Sequence, residues 1–178
     1  VQQEEKMLDV SQRIEGEYAS LLAYYQKILS CFDVIHCNSE IANLVYKQFV
    51  APNKCKIFGI THANIYVKPH RQQLDRLRLG YVGGLNRYKG LNILLKATEI
   101  LDRQNVDYQL LLYGADFSEY TAQNPHVFNG GIYTCIDEDK VWNSFDVLVV
   151  PSQCRETYGF VVLEALAHSV AVVCSDLV

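Results

Sequence analysis

The chain reads as an α/β protein built around a doubly wound parallel sheet. Three observations predict this. From residue 77 onward, apolar strand-like runs alternate with amphipathic helical stretches. The runs are apolar on both faces, as strands covered by helices on both sides must be. Glycines gather where strands hand over to helices, which is where ligands of such sheets bind. The chain has 178 residues, 49% of them apolar, enough for one domain plus part of another and for a sizeable core.

Residues 3–30 predict a long amphipathic helix, with Met7, Val10, Ile14, Tyr18, Leu21, Leu22, Tyr25, Ile28 and Leu29 at three- and four-residue steps. Residues 32–37 predict a short buried strand. A helix is expected over 38–49, capped by Asn38 or Ser39 and stopped before Pro52. Residues 54–60 predict a second strand. Residues 61–76 are polar, hold Pro69 and the basic Lys68, His70 and Arg71, and have no period, so they read as a linker. Strand 77–82 follows, then helix 91–103 with Ile93, Leu94, Ala97, Ile100 and Leu101 facing inward. Next come strand 108–113 ended by Gly114, a short strand 126–128 before Gly130-Gly131, helix 138–145, strand 146–150, helix 160–168 and strand 170–174. The organisation expected is therefore residues 1–62 from one domain, a linker at 63–76, and a ligand-binding domain from 77 to 178. A buried parallel strand is normally followed by a covering helix, and only four residues follow 170–174. The chain is therefore expected to be a fragment, cut at both ends.

A net charge of -4, from 16 Lys and Arg against 20 Asp and Glu, with no basic cluster, argues against nucleic acid as a partner. No apolar run reaches the roughly 20 residues that span a bilayer. Six cysteines (Cys31, Cys37, Cys55, Cys135, Cys154 and Cys174) show no Cys-x-x-Cys or zinc spacing, and read as reduced structural thiols of a cytosolic protein.

Three strand-to-helix junctions could carry chemistry. In Gly83-Gly84-Leu85-Asn86-Arg87-Tyr88-Lys89-Gly90 the glycines permit a tight turn beside a ligand, and Lys89 heads a helix, where a cation and free N–H groups suit a diphosphate. An ordinary turn with a solvated lysine is the other reading. In the stretch from Pro151 to Glu164, Glu156 lies in a loop and Glu164 stands among apolar helical residues. A carboxylate there is costly to bury unless a partner such as a sugar diol satisfies it. A single solvent-facing Glu is the alternative. In Gly114-Ala115-Asp116 and Gly130-Gly131-Ile132 the glycines would let backbone approach a flat base, or simply make tight turns.

Taken together, these junctions resemble the family 4 glycosyltransferases. The matching segments are 82–90, Tyr113-Gly114, Gly130-Gly131, 146–152, and the Glu–seven residues–Glu motif from Glu156 to Glu164 with Ala165. Residues 32–40 resemble the family's last segment of the acceptor-side domain. The resemblance implies the two-domain GT-B fold, with a Rossmann-like donor domain at 77–178 preceded by part of the acceptor domain. It implies a retaining enzyme, without metal or cofactor, that takes a nucleotide-diphospho-sugar and an acceptor that is a sugar, a lipid-linked glycan or a protein. It also implies a cytoplasmic location at the inner face of a membrane, with peripheral contact through the acceptor domain. Catalytic roles fall to Glu156 and Lys89. Donor contacts fall to Gly83, Gly84, Arg87, Lys89, Gly114, Gly131, Ile132, Glu156, Thr157, Tyr158, Gly159, Phe160 and Glu164, with Glu164 on the ribose and Lys89, aided by Arg87, on the diphosphate.

The sequence departs from the family where an Arg often replaces Gly84 and where Ser169-Val170-Ala171 stands for Gly-x-Pro. Neither His36 nor His62 matches the family's catalytic-region His; His36 reads as a strand-end or satisfied core residue. The fragment alone is expected to transfer nothing. Asp137-Glu138-Asp139 mimics a metal-binding Asp-x-Asp but precedes a helix, so Asp137 reads as an N-cap. A non-catalytic nucleotide-sugar or regulatory module is the competing function. A flavodoxin-like domain is a weaker one, since Gly83-Gly84 provides neither an acidic cluster nor a flavin loop.

Overall fold

The computed structural model describes residues 17–61, 65–68, 76–134 and 136–178. Met7, Val10, Ile14, His62, Pro69, His70, Arg71 and Cys135 lie outside them. The chain divides into two compact units, Val1–Thr61 and His62–Val178.

The first unit is a small parallel β-α-β arrangement. Helix α1 runs Glu17–Ser30, β1 Ile35–Cys37, α2 Glu40–Tyr46 and β2 Cys55–Ile57, with Ile35 opposite Cys55. Its core is Ile35, Cys37, Ala42 and Cys55, with Leu29 and Val50 against it. Both strands are shorter than the apolar runs predict. Phe32, Val34 and Phe58 are exposed and lie outside them, although the Phe58 N–H still donates to the Cys37 carbonyl at 3.1 Å. Helix α2 begins as expected, the Ser39 hydroxyl accepting the Ala42 N–H at 3.1 Å, but ends at Tyr46. The apolar stripe of α1 is mostly solvent-facing, with Tyr18, Leu21, Tyr25 and Ile28 exposed and Leu29 turned to the core. His36 sits within β1, exposed, with Nε2 2.8 Å from the Phe58 carbonyl and its ring edge-on to Phe58. It is a satisfied residue but not a core one.

The second unit is the doubly wound α/β domain. Strands β3 (Leu77–Val82), β4 (Tyr108–Tyr113), β5 (Val127–Gly131), β6 (Val147–Val150) and β7 (Ala171–Cys174) form one all-parallel sheet in the order β5-β4-β3-β6-β7. Helices α3 (Leu91–Arg103), α4 (Ser118–Thr121), α5 (Glu138–Trp142) and α6 (Phe160–Ala167) connect them. Alternation along the strands divides the core in two. Tyr81, Tyr108, Leu110 and Leu112 pack with Leu91, Leu94 and Phe117 on one face. Leu148 and Val150 pack with Val141, Trp142, Phe145 and Ala165 on the other, where Leu111 and Tyr113 also point.

Several local expectations need correction. The buried side of α3 is Leu91, Leu94 and Thr98, with Leu95 and Leu101 packed beside it, whereas Ile93, Ala97 and Ile100 face solvent. Thr98 can be buried because its hydroxyl donates to the Leu95 carbonyl at 2.7 Å. Helix α4 was not expected. Gly130 and Gly131 belong to β5 itself, with Gly131 paired beside Tyr113 across a register shift. Helix α5 stops at Trp142, and α6 ends at Ala167 with His168 as its C-cap.

Ser169, which follows α6, adopts φ 59. A left-handed backbone costs a non-glycine residue about 1–2 kcal/mol, while glycine loses about 0.5–1 kcal/mol more entropy on folding. Ser169→Gly is therefore expected to stabilise the protein by about 0.5–1 kcal/mol, raising Tm by roughly 1–4 °C. A thermal melt in which Tm fails to rise would show that Ser169 is not strained.

Candidate functional site

Strand β3 is where the winding reverses. The chain leaves it towards β4 and β5 on one side, then returns to place β6 and β7 on the other. The loops after β3 and β6 therefore flank a crevice at the carboxyl ends of the strands. They are also bonded to each other. The Gln153 N–H donates to the Tyr88 carbonyl at 2.7 Å, and Gln153 Nε2 to the Arg87 carbonyl at 3.0 Å. At Gly90 the backbone has φ 75, and an added Cβ would stand 1.8 Å from the Pro151 carbonyl oxygen. Only glycine permits that crossing.

Lys89 does not head an α-helix. It closes a single 3₁₀ turn, Arg87–Lys89, capped by the Asn86 side chain, and Gly90 is the N-cap of α3. The turn carries its ammonium across the crevice, where Nζ donates to Glu156 Oε1 at 2.7 Å. The same oxygen accepts the Ser152 hydroxyl at 2.7 Å. Glu156 is the more enclosed partner, its side chain 18% exposed against 42% for Lys89. Burial pushes the Glu156 carboxyl up, but the hydrogen bonds from Lys89 and Ser152 and the ammonium charge outweigh it and hold the group below its usual 4.5. Tyr81 lies beneath the crevice. Burial first, then the Glu156 carboxylate, push its phenol up to about 12, so it stays a neutral donor, bonded to the Gly84 carbonyl at 3.0 Å.

Arg87 does not join this pair. Its guanidinium lies 4.6 Å over the Tyr88 ring and donates to that phenol oxygen at 2.6 Å. It borders a cavity of about 280 Å³ with Asn92 and Gln153. Gly83 donates to the Tyr113 carbonyl at 2.8 Å, and Gly84 opens onto free space. Gly114 has φ 110, and a Cβ there would lie 2.7 Å from the Gly83 carbonyl. Its close approach is thus to the neighbouring strand end. Gly131 is open above, and Ile132 is 80% exposed.

Glu164 lies partly buried on α6. Tyr133, just after β5, has its phenol pushed up to about 12 by burial, then by the charges of Glu164 and Glu138. At the end of β5, Tyr113, Gly130, Ile132, Tyr133, Asp137, Lys140 and Val141 line a cavity of about 370 Å³. The segment from Thr157 to Phe160 runs from the loop that holds Glu156 into α6. Gly159 caps α6, and the Tyr158 and Phe160 rings sit 4.9 Å apart. A larger cavity of about 470 Å³ lies at the amino ends of the strands, among Asp102, Asp107, Asn124 and His126 before β4 and β5. It is remote from every predicted site residue.

Asp137 is the N-cap of α5, as its position suggests, and its carbonyl accepts the Val141 N–H at 3.0 Å. It makes no side-chain bond to the first turn of α5, and its Oδ2 accepts the Thr134 hydroxyl at 3.0 Å. Asp139 is bonded by Lys68 and by His168 Nε2, the latter at 3.1 Å, and these bonds hold its carboxyl below the usual range. Among the described residues no group of three His, Cys, Asp or Glu side chains could hold a metal ion.

Sequence reasoning assigned no role to Ser152, Tyr81, Tyr133 or Gly90. The first three are ordinary residue types whose meaning comes from what lies opposite them. Gly90 carried a signal, a glycine directly after the Lys, and structurally it is the point where the two loops meet.

A sequence profile described as glycosyl transferases group 1 matches residues 76–178. The capsular polysaccharide biosynthesis glycosyltransferase CapM of Staphylococcus aureus is 29% identical over 129 residues, covering 67% of this chain and 33% of CapM. The Anabaena protein HepE, solved with UDP and glucose, superposes with a TM-score of 0.71 at 18% identity, covering 95% of this chain and 51% of that one. Sucrose-phosphate synthase from Thermosynechococcus elongatus also gives 0.71, at 22% identity over 94% of this chain and 48% of its own. At such identities the two structures establish the fold. The chain spans about a third of the curated relative and about half of each of these structures.

Proposed function

The chain belongs to the glycosyl transferases of group 1, and on that premise we propose that it carries most of the donor site of a retaining, metal-independent glycosyltransferase of family 4. The donor is a nucleotide-diphospho-sugar. The acceptor is a growing polysaccharide or glycoconjugate, a reading supported by the name of the capsular relative. One observation carries the proposal: a lysine from the β3 exit and a carboxylate from the β6 exit meet at 2.7 Å across the switch point of the sheet.

When the glycosyl bond of such a donor breaks, negative charge develops on the departing diphosphate and positive charge on the sugar. The Lys89 ammonium meets the first, and the N-terminus of α6 at Gly159 adds its dipole, which is the work a metal ion does elsewhere. Glu156, held ionised, faces the second. Glu164 takes the ribose hydroxyls, and Gly131 and Ile132 border the base. The new bond to an acceptor hydroxyl forms on the face that the diphosphate leaves, and the hydroxyl proton passes to the departing diphosphate oxygen. In this reading the first unit is the end of an acceptor-side domain, and the enzyme works in the cytoplasm at the inner face of a membrane. No described helix is long and apolar enough to cross a bilayer.

The test is a thermal-shift panel of UDP-, GDP- and ADP-sugars on the full-length protein. The true donor at a hundredfold excess over Kd is expected to add about 2.7 kcal/mol of stability, and Glu164→Ala to remove most of that gain. Persistence of the shift in the variant would show that Glu164 is not the ribose ligand. A panel with no shift at all would refute the donor reading itself.

A further inference from the structure

Resting on that reading, we propose that Ser152 is a positioning residue for transfer, fixing Glu156 once Lys89 has moved to the diphosphate. Both Lys89 Nζ and the Ser152 hydroxyl bond the same oxygen, Glu156 Oε1, each at 2.7 Å. The two donors differ in freedom. Lys89 has a long side chain, 42% exposed, able to swing to an incoming anion. Ser152 is 2% exposed, and its own carbonyl is clamped by the Ser175 hydroxyl at 2.8 Å. Ser175 follows β7 and Ser152 follows β6, so the clamp ties the hydroxyl to two adjacent strand ends.

The consequence is a division of labour. A diphosphate competes with Glu156 for the Lys89 ammonium, and carries more charge than a single carboxylate. When the ammonium leaves, Glu156 would lose its largest stabilising partner as the sugar begins to develop positive charge. The buried hydroxyl remains, so the carboxylate keeps its aim and its charge without reorganising, the condition under which electrostatic catalysis is strongest. Tyr81, the other titratable group facing Glu156, stays neutral and adds no competing charge.

Three variants of the full-length protein test this: Ser152→Ala, Ser152→Thr and Ser152→Cys. Cys keeps the shape of the closed pocket with a weak donor, whereas Thr keeps the hydroxyl. Carboxyl-carbon NMR titration without ligand should show Glu156 titrating at higher pH in the Ala and Cys variants and near the native midpoint in the Thr variant. An unmoved midpoint in both Ala and Cys overturns the proposal. With the donor selected by the nucleotide-sugar panel, kcat should fall at least about tenfold in Ala and Cys, the loss of one charge-assisted bond, while KM changes less than about twofold. A change in KM alone overturns it as well. If no nucleotide-sugar binds the native protein, the functional reading fails and takes the positioning role with it. The titration would still report whether the Ser152–Glu156 bond exists, so the two failures are distinguishable.

Discussion

Lys89→Ala is expected to weaken binding of the nucleoside diphosphate by about 1–2 kcal/mol, roughly 5- to 30-fold in Kd, because it removes a charge-assisted bond made by a partly exposed ammonium. Titration calorimetry with wild type and variant measures this directly. The substitution should also change how stability responds to acid. Glu156 is held below its usual 4.5 in the folded protein. A depressed carboxyl contributes stability that is fully present above the unfolded value and is lost as pH falls through the folded one. Wild type should therefore exceed the variant in stability at neutral pH, and the gap should close as pH falls below 4.5. Equal affinity in the two proteins, or a gap independent of pH, would mean that the ion pair is incidental.

Gly90→Ala should be the most damaging small substitution in the second unit. The new methyl would need φ 75 and would stand 1.8 Å from the Pro151 oxygen and 2.7 Å from its carbonyl carbon. The obstacle is backbone at a strand end, so no side chain can swing aside. The left-handed penalty and the overpacking together amount to about 2–5 kcal/mol, or roughly 4–20 °C in Tm. The same change pushes the β3 loop off the β6 exit, parting Lys89 from Glu156. Any Gly90→Ala protein that folds should therefore bind nucleotide poorly. A variant with native Tm and native affinity would show that the loops do not depend on this contact.

The sheet was largely legible because its strands are short apolar runs between helical stretches, apolar on both faces since both are covered, with Tyr108, Leu110 and Leu112 packing on one side and Leu111 and Tyr113 on the other. Helix α3 shows the limit of such patterns. It carries two overlapping apolar stripes, Leu91-Leu94-Leu101 and Ile93-Ala97-Ile100, both at helical spacing. The choice between them is made by where Gly90 starts the helix and by Thr98 hiding its hydroxyl in its own backbone. Among the candidate residues, Lys89 was legible as a cation beside Gly90, Glu156 as a loop carboxylate and Glu164 as a lone carboxylate among apolar helical residues. That the first two bond each other was not, because 67 residues separate them and the partnership depends on the β3–β6 adjacency. Ser152 escaped notice for the same reason, since its function lies in burial, which one sequence does not display.

The most direct measurement is a crystal structure of the full-length protein with the nucleoside diphosphate that the panel selects. The expected result is Lys89 Nζ within about 3.2 Å of a phosphate oxygen, Glu156 still bonded to Ser152, and Glu164 on the ribose of the same ligand. A diphosphate bound elsewhere on the rim, or in the cavity at the amino ends of the strands beside Asp102 and His126, with Lys89 still on Glu156, would contradict it.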